Sequence, residues 1–426
     1  MTIRKPNDQK EAHLLKQIVI ENYRSCLRTS INLNPQLSVL IGPNGSGKTN
    51  ILQGIMFLHK LAREREHFGR RRDAITVSSR LKAVFEQRNT RIQLNASISA
   101  YTEESNYDVM LSSTEKWQLK GKKHEQFSAE MPLPVAAQMA NDRTSGRFYW
   151  HVHLHSRYLK TRPVRRTELP KWVRLPLSKV ADYCRGIRYY GASQFTNPGS
   201  CPVSFEIEQE GEQRRLFRGR GHVKILYDMY SSSRIQTNSR YSQFIDIVGP
   251  KGLRLVDELT FREVKTSSTD YSVRVGGKVE VRKRHKLLVI PQFRIGRQKL
   301  SPNQLSEGTF KTLALLFHVI TESSTALLIE EPEVCIHHGL LSSILELINS
   351  YSRHKQMILS THSDYVLDHV KPENVFAVRL EGAAGTAVRQ ITSTMKAKEL
   401  AALHQYLDQV GNLGEYWREG GLGDQP

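Results

Sequence analysis

Gly42-Pro-Asn-Gly-Ser-Gly-Lys48-Thr49 fits the pattern G-x-x-x-x-G-K-[ST], whose chemistry is a grip on a nucleoside polyphosphate. Glycines at this spacing let consecutive backbone N–H groups face phosphate oxygens, and the lysine reaches the β and γ oxygens. In this reading Asn44, Gly45 and Gly47 belong to the cofactor-binding loop, Lys48 holds phosphate, and Thr49 offers a hydroxyl to Mg2+. About 280 residues later, Leu327-Leu-Ile-Glu330-Glu331-Pro-Glu ends an apolar run in carboxylates. Beside a magnesium nucleotide such carboxylates are useful: Glu330 in the metal shell, Glu331 on the attacking water. In Gln356-Met-Ile-Leu-Ser-Thr-His362-Ser-Asp an imidazole follows a further apolar run. Ligands sit at the carboxyl ends of strands in open parallel α/β sheets, so His362 is placed to touch a γ-phosphate.

Three strands and a helix must position these groups. Leu37–Ile41 reads as a short buried strand, and Asn50–Leu61 as a helix with apolar positions at 51, 55 and 58. That is the strand, loop and helix the phosphate motif requires. Ala326–Ile329 and Gln356–Thr361 read as strands about one βα unit apart, with Ser363 expected to cap the next helix. The phosphate loop and the carboxylates have to share one nucleotide. The middle of the chain is therefore expected to be an insertion between two halves of one nucleotide-binding unit.

These motifs, in this order and joined by Leu305-Ser306-Glu307-Gly308-Thr309, resemble the ABC-type ATPase heads of the SMC, RecF and OLD-like AAA proteins. The resemblance implies an α/β fold: an ABC-type P-loop ATPase head with an antiparallel β-subdomain and a short helical and β insertion. It implies ATP and Mg2+ as cofactors and ATP hydrolysis as the activity. It also implies a homo-oligomer, because two heads of such proteins sandwich two nucleotides, as a dimer or something larger. Leu305–Thr309 looks like that family's signature motif, so Ser306 and the amides around Gly308, at the start of an apolar helix expected over Phe310–Ile320, are expected to hold a γ-phosphate from across the interface. Lys16–Ser25 looks like the first strand of these heads, which carries Arg24 over to the nucleotide. Gln194, in Tyr189-Tyr190-Gly-Ala-Ser-Gln-Phe, stands in a Q-loop context, where its amide would reach Mg2+. Glu330 replaces the Asp of ABC transporters, and Pro332 is followed by Glu333, both usual for the OLD-like branch.

That branch often carries a TOPRIM nuclease after the head, but only about 60 residues follow His362. A nuclease of TOPRIM or HNH type is expected as a separately encoded effector, with no nuclease activity on this chain. The stretch from Ala401, with Leu413-Gly-Glu-Tyr-Trp417 and Gly420-Gly-Leu-Gly423, resembles stand-alone ATPases of bacterial antiviral systems. PARIS-, retron- and Septu-type systems are the nearest groups. The leading expectation is an ATP-hydrolysing sensor and switch of an anti-phage system. The alternatives are a RecF- or SMC-like DNA-maintenance ATPase that binds DNA directly, and a scaffold with structural ATP.

Residues 1–130 are expected to form the first half of the head, 131–300 the insertion, and 301–426 the second half. From Thr76 to about Glu130 alternating segments read as antiparallel strands. Helical pieces follow at Val223–Tyr230 and Arg240–Val248, then strands at Leu253–Val264, Tyr271–Val281 and Leu287–Phe293. No sustained heptad run supports a long coiled-coil arm. The chain carries 62 Lys and Arg against 42 Asp and Glu, a net charge of +20, which attracts DNA or an acidic phage protein. The basic stretch Arg63–Arg72 can meet DNA phosphates or remain solvated, and His155–Arg166, continuing to Lys171–Arg174, can meet nucleic acid, an acidic protein partner, or neither. His151, His153 and His155 alternate along a strand face without a completing metal ligand. Four cysteines lack metal or disulfide spacing, and no apolar run approaches a membrane span, so the expected location is the cytoplasm.

Overall fold

Five consecutive buried residues, Leu37–Ile41, form a strand covered on both faces, the pattern of a parallel sheet. In the computed structural model this strand lies inside a six-stranded sheet. The structure describes residues 14–63, 79–87, 90–102, 109–120, 126–130, 149–154, 157–158, 162–163, 171–210, 213–214, 221–235, 237–273, 279–321, 323–393 and 395–419. The sheet order is Ile187–Gly191, Ala326–Glu330, Gln356–Thr361, Leu37–Ile41, Val375–Glu381, Gly385–Gln390. Leu37–Ile41 runs parallel to both its neighbours, and Ala326–Glu330 runs parallel to Gln356–Thr361. Register pairs Glu330 with Ser360 and Thr361 with Ile41. Three parallel strands thus end side by side, and the phosphate loop, Glu331 and His362 follow directly from those ends.

The chain divides into two compact units, residues 1–189, 323–331 and 345–426 in the first, 190–322 and 332–344 in the second. In the first, the phosphate-loop helix is Lys48–Arg63, and Ile51, Ile55 and Leu58 on its apolar stripe are fully buried. They share a core with Leu177, Val180, Ala181 and Cys184 of the helix Lys171–Arg185. A second sheet is antiparallel. Leu14–Tyr23 pairs with Cys26–Asn32 on one side and Ser79–Gln87 on the other, and Thr90–Thr102, Val109–Lys120, Gln126–Glu130 and Tyr149–Leu154 extend it. This matches the antiparallel strands expected from Thr76 to Glu130. Toward the end of the chain, the helices Ala397–Gln409 and Leu413–Arg418 bury Leu403, Leu413 and Trp417 against Ile41, Leu367 and Val375.

The second unit holds the helices Gly221–Ser233 and Ser239–Val248, near the expected positions. The three strands expected after Leu253 are two long ones, Glu258–Val273 and Val279–Ile295, paired without interruption from Glu258 with Arg294 to Val273 with Val279. Residues 253–257 are not strand. The signature segment opens the helix Glu307–Ile320, buried continuously from Phe310 to Phe317. It begins a turn before the expected Phe310. Among the described residues the architecture is mixed α/β, one largely parallel sheet and two antiparallel ones, which is the α/β class expected.

His151 and His153 lie in Tyr149–Leu154, while His155, Gly276, Gly277 and most of the two basic stretches fall outside the described residues. All four cysteines are free thiols, with only Cys335 exposed. Among the described residues no helix is long and apolar enough to cross a membrane.

Candidate functional site

The phosphate loop is shaped by Gly45 at φ +81° and Gly47 at φ +103°, conformations open chiefly to glycine. The loop is closed by Ser46 N–H donating to Pro43 O at 3.2 Å, and the helix begins as Ile51 N–H donates to Gly47 O at 3.0 Å. Lys48 is buried, and its Nζ donates to Gly42 O at 2.7 Å and Pro43 O at 2.9 Å. An ammonium held by carbonyl dipoles at the head of a helix is ready to exchange them for phosphate oxygens. Asn44 stands exposed at the loop tip.

A chain of hydroxyls braces the loop from below. Asn50 Nδ2 donates to Ser25 Oγ at 2.7 Å, Ser25 Oγ lies 2.7 Å from Thr386 Oγ1, and Thr386 Oγ1 donates to Ser46 O at 3.1 Å. Arg24, at φ +52°, turns its guanidinium over the Tyr23 ring and places Nη1 3.4 Å from Asn50 Oδ1. The structure therefore brings Arg24 beside the first turn of the phosphate-loop helix.

Thr49 Oγ1 donates to one oxygen of Glu330, and the Tyr189 hydroxyl donates to the other. Burial, then the bonded Glu330 carboxylate, pushes the Tyr189 phenol well above its ordinary pKa, so it stays a donor. Glu331 sits at φ +47°, a strained conformation for a residue with a β-carbon, and its N–H donates to Ser360 O at 2.9 Å. Its carboxylate lies 3.8 Å from His362 Nδ1. Phosphate loop, Thr49, Glu330, Glu331 and His362 thus gather in the first unit. Ser46 Oγ and Ser360 Oγ are buried there without a hydrogen-bond partner, which leaves polar capacity for a ligand or water.

A hydroxyl and a carboxylate are hard oxygen donors that suit Mg2+, which completes its shell with substrate phosphates and water. The described residues contain no group of three or more His, Cys, Asp or Glu that could hold a metal ion. Thr49 and Glu330 are the residues that fit.

Ser306, Gly308 and Gln194 belong to the second unit. Ser306 caps the signature helix, its Oγ accepting from Thr309 N–H at 3.1 Å. A β-carbon at Gly308 would stand 2.5 Å from Cys335 O, so the loop after Glu331 lies directly on the signature motif. Gln194 is exposed in the turn Ala192–Phe195. Ser363 occupies the cap position of Asp364–Leu367, but its side chain makes no capping bond. Its own N–H donates to Thr361 Oγ1 at 3.0 Å instead. Tyr189 and Thr386 escaped the sequence reading as site residues, since sheet order alone brings them to Glu330 and Ser46.

Two family models match the chain. One, described as "AAA ATPase domain", covers residues 14–144, and the other, "AAA domain, putative AbiEii toxin, Type IV TA system", covers 212–368. A segment in each half of the chain is thus similar to an AAA family model. Locally the chain is 36% identical over 72 residues to the DNA replication and repair protein RecF of Exiguobacterium sp., across 16% of this chain and 19% of that one. It is 41% identical over 44 residues to RecF of Psychromonas ingrahamii, across 10% and 12%. The chain spans under a fifth of the length of these relatives. The SMC head domain from Thermotoga maritima superposes over 88% of this chain and 98% of its own at 14% identity, with a TM-score of 0.39, too loose a likeness to carry an argument.

Proposed function

We propose that this chain binds and hydrolyses Mg2+-ATP and uses the cycle as a switch. The observation that carries the reading is the Glu330 carboxylate held by Thr49 of the phosphate-loop helix, with Glu331 and His362 3.8 Å apart at the adjoining strand ends. Lys48 exchanges its two carbonyl partners for β and γ oxygens, while the amides around Gly45 and Gly47 cradle the phosphates. Bound Mg2+ supplies neutralisation of the developing phosphate charge. Glu331 orients the attacking water and accepts its proton, and His362 senses whether the γ-phosphate is present. Arg24 and Asn44 add contacts at the loop. Ser306 and the Gly308 amide act on the nucleotide of a second copy, so ATP draws two heads together and hydrolysis releases them.

The finer role is that of the sensor subunit of an anti-phage system, with a separately encoded nuclease or toxin as its effector. The antiviral resemblance of the final stretch and the toxin-system name of the second family model support it. A second reading, a DNA-maintenance ATPase, draws support from the RecF matches and the net charge of +20.

The test compares wild type, Lys48→Ala and Glu331→Gln for ATP hydrolysis, with mass by light scattering. Lys48→Ala should bind no ATP, and Glu331→Gln should hold ATP as a stable pair. ATP hydrolysis that survives both substitutions would sink the assignment. Co-purification with the product of the adjacent gene supports the defence role. Salt-sensitive DNA binding that strengthens with ATP, without a protein partner, supports the DNA role.

A further inference from the structure

The third residue of the signature motif is a glutamate that the phosphate-holding reading leaves unused. Glu307 lies in the first turn of the signature helix, and its carboxylate accepts from three segments of the second unit. Lys311 Nζ lies 2.7 Å from Oε1, and Cys335 Sγ donates to the same oxygen at 3.4 Å. The backbone N–H of Asn197 donates to Oε2 at 3.2 Å. The segments are the signature helix, the loop that leaves Glu331, and the stretch at Asn197 that directly follows the Gln194 turn.

Each arm has its own reason to stay. The Lys311 side chain is only 1% exposed, its second polar neighbour is Cys335 Sγ at 3.6 Å, and a buried ammonium requires an anion. Lys311 first, then the Asn197 N–H and the Cys335 thiol, hold the Glu307 carboxyl down at about 2, so it remains ionised. Cys335 stands at φ +65° with its carbonyl against Gly308. Asn197 stands at φ +52°, and two residues earlier Phe195 stacks on Tyr190 at 5.5 Å and packs on Phe310 of the signature helix at 6.1 Å.

We propose that Glu307 is a positioning residue for ATP hydrolysis: its carboxylate ties the signature helix, the Asn197 stretch after the Gln194 turn and the loop leaving Glu331 into one moving piece. This inference rests on the ATPase reading above. Glu307 and Lys311 move with the signature helix, and shifting the Asn197 stretch or the Cys335 loop alone breaks a hydrogen bond to the carboxylate, so the three segments shift together. Cys335 is four residues beyond Glu331, and the loop carries such a shift toward the residue proposed to position the attacking water.

The test uses Glu307→Gln combined with Lys311→Met, a near-isosteric pair without a buried charge, and Lys311→Met alone as its control. One amide oxygen cannot serve Asn197 and Cys335 as two carboxylate oxygens do. Lys311→Met keeps the carboxylate and both remaining arms. The double variant should melt near wild type, bind ATP within about 2-fold, and lose about 3- to 30-fold in kcat. Hydrogen exchange in residues 192–197 and 332–337 should rise together. Lys311→Met should stay near wild type in kcat and in exchange. A folded double variant with wild-type kcat, or exchange that rises in one segment only, overturns the inference. So does an equal loss in Lys311→Met, which would make the ion pair merely structural. A wild-type chain that hydrolyses no ATP sinks the ATPase reading instead, and is told apart by that baseline.

Discussion

Alanine at position 47 should cripple the phosphate loop without removing any group that touches phosphate. Gly47 sits at φ +103°, and a β-carbon there would stand 2.1 Å from Thr386 Oγ1, 2.8 Å from Ser25 Oγ and 2.9 Å from Thr386 Cγ2. The left-handed backbone costs a residue with a β-carbon about 1–2 kcal/mol. Overpacking adds about 1–3 kcal/mol, giving about 2–5 kcal/mol in all. Thr386 cannot simply turn aside, since its Oγ1 donates to Ser46 O and bonds Ser25 Oγ. Gly45 is the internal control: its φ is +81°, but no atom lies within 4 Å of the added carbon. Alanine there meets only the backbone cost.

If about 2 kcal/mol of the Gly47→Ala cost falls on the shape of the loop, ATP binds about 30-fold more weakly. Titration calorimetry with Mg2+-ATP, beside thermal melting of each variant, separates affinity from stability. If about 1 kcal/mol of its backbone cost falls on the loop, Gly45→Ala should lose about 5-fold. Adding Thr386→Ala to Gly47→Ala removes two of the three close contacts and should recover part of the loss. A Gly47→Ala protein that binds as well as Gly45→Ala, or a double variant that recovers nothing, would refute the account of how Thr386 supports the loop.

Tyr189→Phe removes a hydrogen bond to a carboxylate, so the Mg2+ concentration for half-maximal ATP hydrolysis should rise about 10-fold. An unchanged Mg2+ requirement with a lowered kcat would show that the phenol serves something other than Glu330. Asp368 accepts from Gly414 N–H at 2.8 Å, and burial raises its carboxyl above the ordinary value. Its folded pKa therefore exceeds its unfolded one, and its contribution to stability is present at low pH and lost as pH rises through the raised value. Asp368→Asn keeps the acceptor, so it should melt like wild type in acid and above it at pH 7. Glu307 has the opposite sign: its carboxyl falls from 4.5 to about 2, chiefly through Lys311. Its stabilisation is present above pH 4.5 and lost toward pH 2, an acid limb that melting of Glu307→Gln with Lys311→Met should flatten.

Which residues were legible follows from how each is positioned. Lys48 and Thr49 are fixed by the peptide itself, because one strand, one turn and one helix set their geometry. The strands ending at Glu330 and Thr361 are buried on both faces, which forces uninterrupted apolar runs that stand out in a sequence. Thr386 and Tyr189 leave no such trace: they lie 340 residues from Ser46 and 141 from Glu330, and sheet order alone makes them neighbours. Local capping misled in both directions. The apolar run alone starts the signature helix at Phe310, yet the Ser306 hydroxyl satisfies Thr309 N–H and extends the helix back to Glu307. Ser363 looked like a cap, but Thr361 Oγ1 already holds its N–H. The polar run Ser267-Ser-Thr-Asp270 interrupts the apolar alternation of the second unit, although cross-strand pairing continues through it opposite Arg282–His285. Groups proposed to act on phosphate are therefore contiguous and readable. Groups that hold them, Thr386 on the loop, Tyr189 on Glu330 and Glu307 on the Cys335 loop, come from distant segments and are visible only in the fold. Substitutions in that second set test the structure most directly, because each leaves the motif chemistry untouched and alters only its placement.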